Sequence, residues 1–595
     1  MVLITMRRFS FFLAALLLTA SAVSAQSPSA ALRRLFENAF EQQLRDYPVS
    51  ATYFGRDEFN GRWTDLSLAA IERRKQFRRD LLAEARAIDR SALNPAEQLN
   101  YDLFLADLDR RVLADQFPDE LLALDPLFNG PLVAIPGAIA IMPARSVKDY
   151  ENIVARLRGG AAYVEQTIAL LEEGKRKGIT QPAVILRSVP AQADKLASGD
   201  PAQSALLKAF GRFPSGIPAV EQARLAREAA AALDGALMPA FRKLKSYLEK
   251  DYIPACRQTI ARTALPGGEK WYAADIREHT TTSLTARQIH DIGQAEVKRI
   301  RAGMDEVLRR LSFTAGMPAF LKFLRGDSRF YFADAAGLLT GYRDICKRID
   351  PELPRLFGKL PRTPYGVIPV EDHLAPSETS ARYRPCSADG RRPGYFVANT
   401  WRLDMRPKYE MEALALHESV PGHHLQIALA MEMQDVPHFR KLMHVTAFTE
   451  GWGLYAESLG EELGFYKDPY SKFGQLSFEM WRASRLVVDT GMHALGWTRQ
   501  QAIDFMLANT ASTEQNVVVE VDRYIAWPGQ ALAYKLGELK IKELRRHAER
   551  QLGADFDVRA FHDHLLAEGP LPLDMLEARM KSWVAGLQAK PAPSR

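Results

Sequence analysis

Apolar residues recur every three to four positions along most of this 595-residue chain, and that period predicts helices. Leu32–Leu44, Leu81–Ile88, Leu99–Leu113 and Val147–Glu173 each carry one apolar stripe. Ala219–Leu248, rich in Ala, Leu, Lys and Arg, reads as one long helix or a pair. Pro266-Gly267-Gly268 is the clearest internal break. Beyond it, Thr285 with Gln288 forms a capping box for a helix through Leu311, and Thr498 with Gln501 forms another. Strand signals are few; Tyr365–Val370 and Gly394–Thr400 are the best. The expectation is a mainly α, large helical two-lobed protein with a small β-sheet. Residues 26–265 form a helical lobe, residues 270–588 a second lobe with the sheet, and 589–595 a disordered tail.

Composition narrows the partners. The chain is 47% hydrophobic and 25% charged, the balance of a soluble globular protein. The formal charge of +6 falls to about +4 once Arg7 and Arg8 of a leader are set aside, and the remaining Lys and Arg are dispersed among acids. That argues against a nucleic-acid partner. Residues 1–25 read as a secretory signal: Arg7-Arg8, an apolar run from Phe9 to Thr19, and a small-residue cleavage site Val23-Ser24-Ala25. Cleavage after Ala25 predicts a periplasmic or secreted protein. No later segment has ~18 uninterrupted apolar residues, so no integral membrane segment is expected after signal removal. Cys256, Cys346 and Cys386 allow one disulfide at most and show no metal-binding spacing.

Chemistry concentrates in His417-Glu418-Ser419-Val420-Pro421-Gly422-His423-His424. A hydrolytic zinc wants three protein ligands of the His/His/carboxylate kind and an open position. A glutamate beside the first His can serve as general base. The usual spacing puts the second His at i+4, on the same helix face; here that position is Pro421, and the next histidines stand at i+6 and i+7. Pro421 cannot donate to the carbonyl of His417, and Gly422 is permissive. The helix is therefore expected to bulge over Ser419–Gly422 and resume at His423, which would bring His423 to the second ligand position. On an unbroken helix His424 would face the same way as His417 but lie ~10 Å along the axis, so His424 is read as a supporting residue or the alternative ligand.

Glu450, in Thr449-Glu450-Gly451-Trp452, is the expected third ligand, and Glu457 an acceptor that orients a ligand histidine. Asn399, at the end of the second strand, is a candidate substrate contact. Arg482, Arg485, Asp489 and His493 form a polar stripe at helical steps: an ion-paired structural face, or one that puts His493 near the substrate. The run Arg523–Tyr534 adds Tyr524, whose hydroxyl type suits an oxyanion, and Arg523 and Tyr534 as candidate substrate contacts.

These motifs, with Thr281–Thr285 and Arg523–Gly537, stand in the order found in a bacterial family known as domain of unknown function 885, which the whole mature chain resembles. That family is placed near the gluzincin metallopeptidases. Thr449–Glu457 is similar to the zinc aminopeptidase run whose first Glu is the third ligand, which maps to Glu450. Gly422-His423-His424-Leu425 resembles the second half of the helical oligopeptidase motif, which maps to His423. Arg523-Tyr524 resembles a segment of the angiotensin-converting-enzyme group whose Tyr steadies the tetrahedral intermediate. The resemblance implies a zincin-like fold with a deep central cleft, one zinc per chain, and hydrolysis of short peptides. Glu418 would be the base, and Tyr524, with His493, would hold the oxyanion. A metal-dependent amidase or esterase on non-peptide substrates, or a non-catalytic binding protein with a degenerate site, are the alternatives.

Overall fold

The fold is known from a computed structural model, which describes residues 27–589 apart from 372–374, 376–378, 388–389 and 391. The expected leader at 1–25 and residues 590–595 of the expected tail lie outside the described residues. The protein is mainly helical, with one small sheet. Helices cover Pro28–Asp46, Leu68–Arg86, Pro95–Ala114 and Val147–Lys177, each containing or overlapping an expected apolar stripe. The stretch from Ala219 runs helically to Ala255, interrupted by π-turns at Leu233–Leu237 and Leu248–Tyr252. Pro239 and Pro254 each follow the start of a resumed α-turn. Neither can donate an i→i−4 bond, and the wider turn absorbs the missing donor.

The apolar core crosses the Pro266-Gly267-Gly268 break. Ile135, Leu157, Phe241 and Leu244 share one buried cluster with Val488, Met492, Val521 and Tyr524 from the C-terminal half. A second cluster joins Leu103 to the region around the histidine motif, including Leu416, Trp452 and Ile541. All three cysteines are buried and free.

The elements that position the motif follow in chain order. They are α1 (Gly268–Thr280), α2 (Ala286–Arg310), β1 (Tyr365–Pro369), β2 (Ala381–Arg384), β3 (Gly394–Ala398), α3 (Met411–Glu418), α4 (His423–Met431), α5 (Thr446–Leu459), α6 (Pro469–Ala494), α7 (Glu514–Ala526) and α8 (Ala533–Leu552). The Thr285–Gln288 box caps α2 with both reciprocal bonds, and the Thr498–Gln501 box caps Arg499–Asn509 in the same way. The sheet order is β1-β3-β2, with β1 parallel and β2 antiparallel to β3. The sequence reading missed β2. It is four residues long, and its pairing depends on β3 rather than on a pattern of its own. Both expected strands are present, but β3 is the central one, so its backbone is already paired on both sides and offers no edge to an extended peptide.

Candidate metal centre

The histidine motif spans two helices rather than one bulged helix. α3 ends at Glu418, Ser419 and Gly422 leave helical geometry, and α4 starts at His423. The reversal is tight: a Cβ on Gly422 would lie 2.0 Å from the His417 carbonyl oxygen, so only glycine fits. The Trp452 indole donates to the Pro421 carbonyl at 2.8 Å and ties this loop to α5. The outcome is a right-angle approach of two rings. His417 and His423 stand edge to face, with centroids 4.7 Å apart.

Glu450 of α5 faces both. Its Oε2 lies 3.6 Å from His417 Nε2 and 3.5 Å from His423 Nε2. One donor atom from each of the three residues lies within 4.8 Å of the others. Two ligands of a tetrahedral zinc, each about 2.1 Å from it, stand about 3.4 Å apart. The two separations from Glu450 are of that size and too long for good hydrogen bonds. The three donors thus surround a common point instead of bonding one another, and their chemistry fits a divalent ion.

The charges agree. Burial disfavours the charged form of His417, yet Glu450 and Glu457 outweigh it and hold the imidazole up at about 10. Burial likewise works against the Glu450 carboxylate, but His417 and His423 hold its pKa well below the usual range. In both cases the pocket rewards positive charge between the carboxylates, which a bound cation supplies.

Supporting groups fix the rings. Glu457, fully buried, accepts from His417 Nδ1 at 2.8 Å, leaving Nε2 to face Glu450. Gln426, which the sequence reading overlooked, lies three residues after His423. Its Nε2 sits 2.9 Å from His423 Nδ1 and donates to the Thr449 carbonyl at 2.8 Å, coupling α4 to α5. The His-x-x-Gln spacing on one helix face was the available signal. Gly453 packs flat under the His417 ring; a Cβ there would lie 2.7 Å from Cε1. Gly451 meets Gly537 of α8, its would-be Cβ only 2.5 Å from the Gly537 Cα. These two glycines let α5 touch the first ligand on one side and α8 on the other.

The remaining candidates divide. Glu418 is buried beside His417, and among the described residues no hydrogen bond engages its carboxylate. His424 points away from the triad: Nδ1 lies 2.9 Å from the Tyr383 hydroxyl and Nε2 3.0 Å from the Thr363 carbonyl, so it pins α4 to the sheet. Asn399 is fully buried, donating through Nδ2 to the carbonyls of Ala375 and Thr379, which is a loop brace. His493 has no exposed surface; Nδ1 accepts from the Arg262 amide and Nε2 donates to the Tyr524 carbonyl. Tyr524 is buried too, its hydroxyl taking bonds from Trp481 Nε1 at 3.0 Å and Arg485 Nε at 2.9 Å.

The rest of the polar stripe on α6 is a set of cross-braces. Arg482 approaches Glu457 at 3.5 Å, Arg485 pairs with Glu520 at 3.0 Å, and Asp489 accepts from Tyr272 and the Gly529 amide. Tyr534 is less committed: Arg523 Nη2 reaches its hydroxyl at 3.4 Å, and the Arg485 guanidinium stacks on its ring. It stands three residues before Gly537, the glycine of α8 that meets Gly451 of α5.

No helix among the described residues is long and apolar enough to cross a membrane. The fold is similar to two solved structures. One, from Colwellia psychrerythraea and described as a candidate lipoprotein, is 27% identical with a TM-score of 0.88, and the match covers 94% of this chain and 100% of that one. The other, described as a candidate lipoprotein of unknown function from Shewanella oneidensis, is 17% identical with a TM-score of 0.69 over the same shares and bears on the fold alone. No curated protein matches this chain. Residues 48–580 match a family described as bacterial protein of unknown function, domain of unknown function 885, and the chain belongs to that family.

Proposed function

We propose that this protein is an exported, metal-dependent hydrolase that cleaves amide bonds of short peptides, built on a two-lobed, zincin-like helical fold with a central cleft. The observation that carries this reading is the triad: Glu450 Oε2 stands 3.6 Å from His417 Nε2 and 3.5 Å from His423 Nε2, and the three residues offer donor atoms within 4.8 Å of one another, a grouping that could hold one metal ion. Zinc is the ion that best suits two imidazoles and a carboxylate. When bound, it lowers the pKa of a water to about 7 and polarises a carbonyl.

The chain's own residues account for the rest. Glu418 accepts the proton of the attacking water; its place next to His417 and its unengaged carboxylate support that role. Glu457 keeps His417 in the tautomer that presents Nε2. Tyr534 suits the oxyanion better than Tyr524, whose hydroxyl is already bonded twice in the core. Export is supported by the signal-like pattern of residues 1–25 and by the similarity to a candidate lipoprotein.

Turnover of short-peptide libraries, with zinc supplied, tests the reading against a Glu418→Gln variant. Loss of about 10²–10⁴-fold in kcat with metal still bound supports Glu418 as the base. Equal turnover by wild type and variant rejects it. Cleavage of non-peptide amides or esters alone moves the assignment to an amidase or esterase.

A further inference from the structure

Two arginines one turn apart on α6 bond very differently. Arg485 is a brace: its guanidinium pairs with Glu520 at 3.0 Å and donates to the Tyr524 hydroxyl at 2.9 Å. Arg482 is held mainly by its own helix. Its Nη1 donates to the Phe478 carbonyl at 3.3 Å, and the guanidinium lies 4.5 Å from the centre of the Phe478 ring. Its Nη2 stops 3.5 Å short of Glu457 Oε1, too far for a good hydrogen bond. Its Nε has no hydrogen-bond partner among the described residues.

The pair is nevertheless out of water. The Glu457 side chain is 0% exposed and that of Arg482 7%. Withdrawing two charges from water is unfavourable, and a pair that serves only to brace two helices offsets this with short, forked bonds. Here the fork is unused, because Glu457 Oε2 also lacks a partner among the described residues. What Arg482 supplies to Glu457 is charge at close range, in a setting where water screens it little.

Glu457 is the carboxylate that orients a ligand. Its Oε1 lies 2.8 Å from His417 Nδ1, and His417 Nε2 faces Glu450. Among the described residues, the ion-pair partners of Glu457 are His417 and Arg482. A histidine that holds a metal is neutral. Arg482 is then the counter-charge that remains to Glu457. Without it, the acceptor that fixes the His417 ring is a buried carboxylate facing no cation, an arrangement the interior disfavours.

We infer that Arg482 is a positioning residue of the metal centre: acting through Glu457, its charge keeps the His417 ring aimed and sets how tightly the site holds its metal. The inference rests on reading the triad as a metal centre.

The test is a double-mutant cycle on zinc affinity, read on full-length protein by competition with a chromophoric chelator. Arg482→Met keeps an unbranched stem and removes the charge; it should weaken zinc binding about 10-fold, as loss of a ligand-orienting partner does. Arg482→Lys restores the charge without the fork and should stay within about 3-fold of wild type. On a Glu457→Gln background, Arg482→Met should cost nothing further, because the path to His417 is already cut. Thermal melts of the metal-free proteins check folding, and Arg482→Gln takes the place of Arg482→Met if the latter does not fold. Wild-type affinity in Arg482→Met, an equal loss in Arg482→Lys, or a loss repeated in full on the Glu457→Gln background overturns the positioning role and leaves the triad standing. A wild-type protein that binds no zinc refutes the metal centre itself, and the inference with it.

Discussion

Replacing Gly453 with alanine isolates the first ligand. The added Cβ would lie 2.7 Å from His417 Cε1, 2.9 Å from Nε2 and 3.0 Å from Nδ1, where ordinary contact begins near 3.4 Å. The ring must retreat by about 0.7 Å, several times the roughly 0.2 Å tolerance of a metal–ligand distance. Losing a partner that only orients a ligand costs about 10- to 100-fold in affinity, so displacing the ligand should cost more than about 100-fold.

The fold should survive. Overpacking costs about 1–3 kcal/mol, and alanine recovers about 1 kcal/mol of helix propensity in α5. Competition with a chromophoric chelator reads zinc affinity. Thermal unfolding with and without zinc reads stability, because a ligand at 1,000 times its Kd adds about 4 kcal/mol to the wild type. Gly303→Ala is the control, its Cβ meeting Leu476 at an ordinary 3.5 Å. Wild-type zinc affinity in Gly453→Ala would refute the placement of His417 over Gly453 and the ligand role drawn from it.

Other consequences follow from the same contacts. Gly451→Ala drives a Cβ into the backbone of Gly537, so it should destabilise the apo protein more than Gly453→Ala does, as a denaturant melt would report. Glu457→Gln weakens the acceptor that orients His417 and should lower zinc affinity about 10- to 100-fold while leaving the metal-free fold. His562, fully buried, donates to the Leu356 carbonyl and bonds the Tyr455 hydroxyl, and burial pushes its pKa down to about 4. With the folded value below the unfolded 6.5, its contribution is complete above pH 6.5 and is lost as pH falls toward 4, on the order of 3 kcal/mol. Urea melts across that window should show the loss, and His562→Gln should flatten it; an unchanged acid limb would contradict the neutral, buried imidazole.

Much of the site was legible because its signals are local. The residue types around His417, the proline that forbids an ordinary helical turn at Pro421, and the glycine that permits a reversal at Gly422 together point to His423. The capping boxes at Thr285 and Thr498 are equally local, and both are present.

What stayed hidden depends on neighbours distant in sequence. The hydroxyl of Tyr524 is consumed by Trp481 and Arg485 from another helix, and the ring of His493 by the backbones of Arg262 and Tyr524. Such commitments leave no trace in spacing. β3 became an interior strand only because the short β2 pairs with it, and Asn399 was then drawn into a buried loop. His424 differs from His423 by a single step along α4, yet that step turns it from the triad to Tyr383 and Thr363.

The central claim is a metal held by His417, His423 and Glu450. Its most direct test is elemental analysis of purified full-length protein after zinc is supplied and excess removed, beside His423→Ala and His424→Ala. One zinc per chain in the wild type and in His424→Ala, and none in His423→Ala, is the predicted result. Absence of metal from the wild type, or its loss with His424 and retention without His423, would contradict the account.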